Sequence, residues 1–509
     1  MMEQSRTRQT KRNIVSSVIQ NVIFILISLV SRIIFVRVLD ASYLGINGLF
    51  SNILSILSLA DLGMATVLMY HLYTPIAEGN VSEIKSLILY FKKIYNCIAL
   101  SIFVIGVSLI PFLKYIINLP EEVPNIYLYY IISLLNVVIS YLFVYRTTLV
   151  AADQKTYVLN KYLILFKFIT FVLQTGALFL FKDYLVYLMV ALVTNFACNL
   201  AQNNVTLKMY PYLKNNSIES YVDKKWKKEI FKDIKASFLY KIAGTIQSNT
   251  DNILTSIFVG TIQVGYYSNY ILILNQIVSF IGIIFNSTKA SVGNLFATAE
   301  QDPEAKLQLF KCCELIDFLL VGFTTICTVV LSEDIIKLCF GNEYVLPKYI
   351  VIAIAANFYT NNIRQSIWMF RETSGLFQPL RYITVVTAIL NIILSITLGR
   401  LFGMFGIIIA TVISRMAYAW WKEPMVLYRK LFNCSSKEYF ITYFSRVLLT
   451  AVLIVICLKI CSVINTNGII TDLVIKTFIT VGISCATMFV IFRKTTEFEY
   501  IIKRFRKTL

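Results

Sequence analysis

The chain has 509 residues, 57% hydrophobic and 15% charged, with a formal net charge of +19 and a mean hydropathy of +0.70. Soluble domains run at about 45–50% apolar and about 25% charged residues, so the composition predicts a polytopic membrane protein with almost nothing outside the bilayer. It excludes an ATPase motor, because no G-x-x-x-x-G-K-S/T occurs, and a paired-histidine haem or metal site, because His71 is the one histidine; the ten cysteines include no C-x-x-C and mostly fall within apolar runs, so they read as small core residues rather than a disulfide framework.

A basic N-terminus (Arg6, Arg8, Lys11, Arg12) precedes an apolar segment of more than 20 residues without a small-residue cleavage site, which predicts a first span rather than a signal peptide. Segments near or above the roughly 20 residues needed to cross a bilayer then follow at 14–38, 43–73, 86–113, 125–150, 157–181, 184–207, 236–259, 263–296, 306–331, 347–370, 379–399, 404–428, 439–463 and 469–492. The reading is an all-α polytopic membrane protein of about 14 transmembrane helices. The nine prolines fall in the intervening loops or near helix ends, where a missing N–H does least harm.

The tails and alternate loops on the N-terminal side hold 27 basic residues against 6 on the other. This bias predicts that both termini are cytoplasmic, and it accounts for most of the net charge without nucleic-acid binding. The longest hydrophilic run, 209–235, includes VDKKWKKEIFKDIK. There Trp226, Ile230 and Ile234 recur at helical spacing among lysines, the pattern of an interfacial helix with its apolar face in the headgroups or of a solvated linker. It divides the chain into an N-terminal lobe (1–208, six helices), the linker (209–235), a C-terminal lobe (236–430, six helices) and a final pair with a basic tail (431–509). The lobes show a weak self-match at an offset of 220, which aligns Gly45 with Gly265 and Phe50 with Tyr270. Such repeats build two bundles around one site in secondary transporters.

Fourteen basic residues remain within the spans. Lys92, Lys93, Lys161, Lys311 and Lys459 sit near helix ends and can snorkel, and Arg446 and Lys476 on the last two helices can do the same. Arg32, Arg146, Lys167, Lys241, Lys289, Arg364 and Arg415 lie deeper. At about 2.5–3.5 kcal/mol each on the insertion scale, the seven cannot face lipid. Several fall on polar stripes of helical period, such as Ser17, Asn21, Ser28 and Arg32, or Asn357, Asn361 and Arg364. They are candidates to bind a phosphate or diphosphate in a shared cavity, or else pair within the bundle. The intramembrane acids noted are Asp61, Asp251, Glu314 and Asp317. Asp61, Asp251 and Asp317, near mid-membrane, are candidates for proton or sodium coupling or counter-ions to nearby lysines. No other cofactor and no metal site is expected.

SRIIFVRVLDASYLGINGLFSNILSILSLADLG (31–63) and TDNILTSIFVGTIQVGYYSNY (250–270) resemble the first hairpin and the seventh-to-eighth helix junction of Wzx-type polysaccharide flippases. These belong to the multidrug/oligosaccharidyl-lipid/polysaccharide (MOP) exporter superfamily. The resemblance implies a MATE-like fold of two six-helix lobes in a V plus a C-terminal pair. It also implies a substrate of undecaprenyl-diphosphate-linked oligosaccharide, moved across the bacterial cytoplasmic membrane by alternating access. Polysaccharide polymerase and other biosynthesis proteins are then expected partners. Asp61 fits an acidic position common in that family. A drug or cation antiporter of the same superfamily is the alternative, though the surplus of buried cations opposes it. A membrane glycan polymerase is a further one, opposed by outer loops of only about 11–15 residues, too short for acid/base catalysis in a loop domain.

Overall fold

The computed structural model describes residues 2–58, 64–119, 123–214, 226–228, 230–231, 249–298, 303–374, 376, 381–464, 466 and 468–508. Every regular element among them is helical. The chain forms two compact units, 1–265 and 266–509. The unit boundary falls within the 250–270 junction rather than after the linker. Of that linker, 215–225, 229 and 232–235 lie outside the described residues, as do Asp61 and Lys241.

The first unit contains α1 (Met2–Val38), α2 (Ala41–Leu57), α3 (Met64–Glu78), α4 (Val81–Ser108), the short α5 (Leu113–Ile116), α6 (Ile126–Tyr141), α7 (Val144–Ala152), α8 (Thr156–Phe181), α9 (Tyr184–Met209) and α10 (249–258). Polar residues punctuate the apolar runs. Asn80 accepts the Glu83 N–H to start α4, and Asp183 accepts the Leu185 N–H at 2.7 Å to start α9, each satisfying a donor the helix leaves open. Helix α8 packs between α1 and α9, and α6 lies on α9. Where α9 ends, the Tyr210 hydroxyl donates to Asp153 at 2.6 Å. Burial, and then that bond, push its pKa above the usual tyrosine value.

The two glycines matched by the 220-residue offset touch one another. A Cβ on Gly265 would stand 2.9 Å from the Gly45 nitrogen, and one on Gly45 would stand 2.1 Å from the Thr261 carbonyl oxygen. Backbone lies on both sides of that contact and cannot yield as a side chain would. Gly45→Ala is therefore expected to cost about 3 kcal/mol, seen as a lower unfolding temperature of the purified protein. An unchanged midpoint would mean that the backbones separate freely here. Beside this contact, Thr261 is clipped to the loop that follows α5.

The clip consists of the Thr261 N–H donating to the Asn118 carbonyl at 2.8 Å and the Asn118 N–H donating to Thr261 Oγ1 at 2.9 Å.

The second unit holds most of α11 (Thr261–Thr298), then α12 (Pro303–Cys339), α13 (Lys348–Asn362), α14 (Gln365–Thr373), α15 (Arg381–Ser414), α16 (Trp420–Leu427), α17 (Lys437–Cys461), α18 (Ile469–Phe492) and α19 (Thr496–Thr508). Helix α12 is its hub. Of its apolar window 72% is buried, against 11–33% for the other apolar spans, because α13, α17 and α18 all pack on it.

By length and apolarity, eight helices among the described residues could cross a membrane, or nine when α6 and α7, bent by 43°, count as one. Fourteen were expected. Part of the difference lies in breaks and joins, and the seventh predicted span, 236–259, lies mostly outside the described residues. The second predicted span is divided between α2 and α3, and the tenth between α13 and α14. The eleventh and twelfth run together over Tyr382–Phe432, 51 residues. A straight helix of that length would reach about 76 Å, far more than a bilayer core. It turns at Gly403 (φ 58°, ψ −138°), a conformation that favours glycine. Pro424 also departs from expectation, because it sits inside α16 between two π-helical turns, 415–419 and 428–432.

Candidate functional site

Within the first unit, α1, α2, α6, α8 and α9 line a cavity of ≈ 640 Å³. That is ample for a small ligand. The walls other than α1, which contributes Phe24, are polar at helical spacing. Asn47, Ser51, Ser55 and Ser58 come from α2 and its end, Ser133 and Asn136 from α6, Lys167, Thr170 and Gln174 from α8, and Tyr187, Thr194 and Asn195 from α9. The amides are held in place. Asn195 Nδ2 donates to Asn136 Oδ1 at 2.7 Å, Asn199 Nδ2 donates to Asn195 Oδ1 at 3.0 Å, and Gln174 Nε2 donates to the Tyr187 carbonyl at 3.2 Å.

Lys167 is the one charged side chain lining the cavity among the described residues. Its Nζ stands 5.8 Å from the Phe24 ring centroid, a cation–π approach, and among the described residues no carboxylate pairs with it. Arg32, half-buried on α1, lies within electrostatic reach of Tyr184 and of Tyr187, a lining residue. Arg146 sits on α7, where it donates to Asn203 Oδ1 of α9 and stands over the Tyr145 ring at 5.4 Å. Asp251 is buried on α10 in the same unit.

The second unit treats its cations differently. Arg364, at the break between α13 and α14, and Arg371, one face-repeat further on, both reach Glu423 of α16. All three side chains are at least 94% buried. Arg415 Nη1 donates to Thr360 Oγ1 at 2.9 Å and to Asn357 Oδ1 at 3.1 Å. Lys289 lies on α11, and its side chain is outside the described residues.

Asp317, a coupling candidate, accepts the Ser366 N–H at 3.0 Å and its hydroxyl at 3.2 Å. It thereby satisfies the open N-terminus of α14 from a neighbouring helix. Arg446 and Lys476 do not snorkel as expected. Arg446 is buried against Glu314 at 2.7 Å, and Lys476 meets Asp334 at 2.7 Å.

Sequence reasoning overlooked Glu423, and it placed Arg371 and Lys85 in aqueous loops although both are buried. It also passed over the α9 stripe Asn195, Asn199 and Gln202, whose spacing of 4 and 3 was readable. The expected interfacial face of 222–235 turns inward at its described residues. Ile230 is fully buried, and Trp226 stands edge-on to His71. Amphipathic spacing tells that a face is covered, not by what.

Amides and hydroxyls donate and accept alike, so this cavity suits a hydroxyl-rich ligand, and Lys167 suits an anionic group on it. A cation would find no carboxylate among the described lining residues.

No family model matches the chain, and no curated protein sequence matches it. Solved structures do match in fold. The lipid II flippase MurJ in an inward closed conformation aligns with a TM-score of 0.65 at 13% identity, over 94% of this chain and 98% of that one. An inward-facing multidrug resistance MATE family transporter of the MOP superfamily aligns at 0.55 and 13%, over 77% and 91%. A MOP superfamily transporter from Pyrococcus furiosus, described as having a binding pocket of reverse polarity that suggests a different function, aligns at 0.55 and 12%, over 83% and 96%. The chain thus shares the all-helical fold of these structures. At these identities the likeness fixes the fold and leaves the function open.

Proposed function

We propose that this protein is a Wzx-type flippase. It moves undecaprenyl-diphosphate-linked oligosaccharide from the inner to the outer leaflet of a bacterial cytoplasmic membrane by alternating access, with both termini in the cytoplasm. The observation that carries the reading is the first-unit cavity, with one lysine, four amides and seven hydroxyl side chains but no carboxylate among its described lining residues. Sugar hydroxyls match the amides and hydroxyls, and Lys167, with Arg32 nearby, favours a phosphorylated or acidic group. The cargo would pass to a polysaccharide polymerase for O-antigen, capsule or exopolysaccharide assembly.

Asp61, Asp251 and Asp317 are the candidates for proton or sodium coupling; of these Asp317 is held by Ser366 through one oxygen. The MATE neighbours support a second reading, a drug or cation antiporter, which the lack of a carboxylate among the described lining residues disfavours.

Gene disruption separates the two. The expected result is loss of surface glycan with undecaprenyl-linked oligosaccharide retained on the inner leaflet and unaltered drug sensitivity. Normal glycan together with drug hypersensitivity would overturn the flippase reading.

A further inference from the structure

Only Arg493–Thr495 separate the last apolar span, α18, from α19. The sequence of α19, TEFEYIIKRFRKT, specifies its own helix. Thr495 Oγ1 accepts the Phe498 N–H at 3.4 Å, Glu497 and Glu499 occupy the first turn, and the basic residues come last, as the helix dipole favours. Phe498, Ile501, Ile502 and Phe505 recur at i, i+3, i+4 and i+7, so they share one face; Lys503, Arg504, Arg506 and Lys507 fall around the rest. From Arg493 onward there are six basic residues and two acidic ones.

One edge of the helix is fixed to its own unit. The Glu497 carbonyl accepts from Cys312 Sγ at 3.8 Å, and the Phe498 ring meets Phe489 edge-on at 6.0 Å. The other edge is open. Ile502 is 38% exposed, and Arg493, Lys494 and Lys503 are exposed beside it. Three connecting residues span at most about 10 Å, comparable with the headgroup layer on one side of a bilayer. A helix tethered so closely to the end of a span starts within that layer.

We infer that α19 is a docking surface for anionic phospholipid headgroups, lying in the membrane interface with Ile502 toward the acyl chains and the basic rim on the phosphates. Charge complementarity and continuity with α18 fix the occupant.

The test uses the full-length protein in lipid nanodiscs, where both faces are accessible. Chymotrypsin cleavage after Phe498, Tyr500 and Phe505 is followed by mass spectrometry. In discs of phosphatidylcholine with phosphatidylglycerol, cleavage should be about tenfold slower than in phosphatidylcholine alone, and high salt should remove the difference. The combined Lys503→Gln, Arg504→Gln, Arg506→Gln and Lys507→Gln variant should be cut equally fast in both. Equal rates for the unaltered protein in the two lipids would overturn the inference. So would protection by inorganic phosphate added to phosphatidylcholine discs, which would indicate a small-anion site.

Discussion

Glu423→Ala is expected to destabilise the protein by about 3–5 kcal/mol, the usual cost of removing one partner from a buried ion pair. Glu423 is a carboxylate reached by both Arg364 and Arg371, and all three side chains are nearly inaccessible. Its removal leaves two guanidinium charges crowded in a low-dielectric interior, where each had been desolvated for the sake of that carboxylate. Arg364→Ala leaves Glu423 with Arg371, and Arg371→Ala leaves it with Arg364, so each should cost less. Arg371, whose nearer nitrogen is 3.4 Å from Glu423, should matter least. Thermal unfolding in detergent gives the order directly. A Glu423→Ala protein that melts with the unaltered one would show that the cluster contributes nothing to the fold.

On the proposed flippase reading, Lys167→Ala is expected to cut transport by roughly 10- to 150-fold, corresponding to the roughly 1.5–3 kcal/mol of a hydrogen bond to a charged group. Lys167 alone brings charge to the described wall of the first-unit cavity, so no neighbouring lining cation takes its place. Lys167→Arg should retain most function, because the requirement is positive charge. Lys167→Gln should resemble the alanine variant although it fills similar space. Surface glycan and inner-leaflet lipid-linked oligosaccharide in a complemented deletion strain provide the readout, with membrane abundance as the control. Full glycan with Lys167→Ala would remove this cavity from the transport path.

The helical membrane class was plain in the sequence, because long apolar runs and basic asymmetry are one-dimensional signals. Breaks such as those at 142–143 and 363–364 were not. A hydropathy window averages across a bend, and Arg364 at the second break is polar for a reason visible only in its partner. Glu423 stands between Lys422 and Pro424 and reads as a helix end, whereas three-dimensional packing buries it. The cavity was half legible. Lys167 was chosen for its depth, but the amides around it on α6 and α9 drew no notice because they carry no charge.

The buried ion pair between Glu314 and Arg446 joins residues 132 positions apart. At the usual pace of a ribosome, about 5–20 residues per second, roughly 7–26 s pass before the arginine is made. Throughout that interval the glutamate must wait protonated, or beside the translocon, or in water. The second unit therefore cannot be inserted one helix at a time and then left; α12 reaches its settled place only once α17 has arrived.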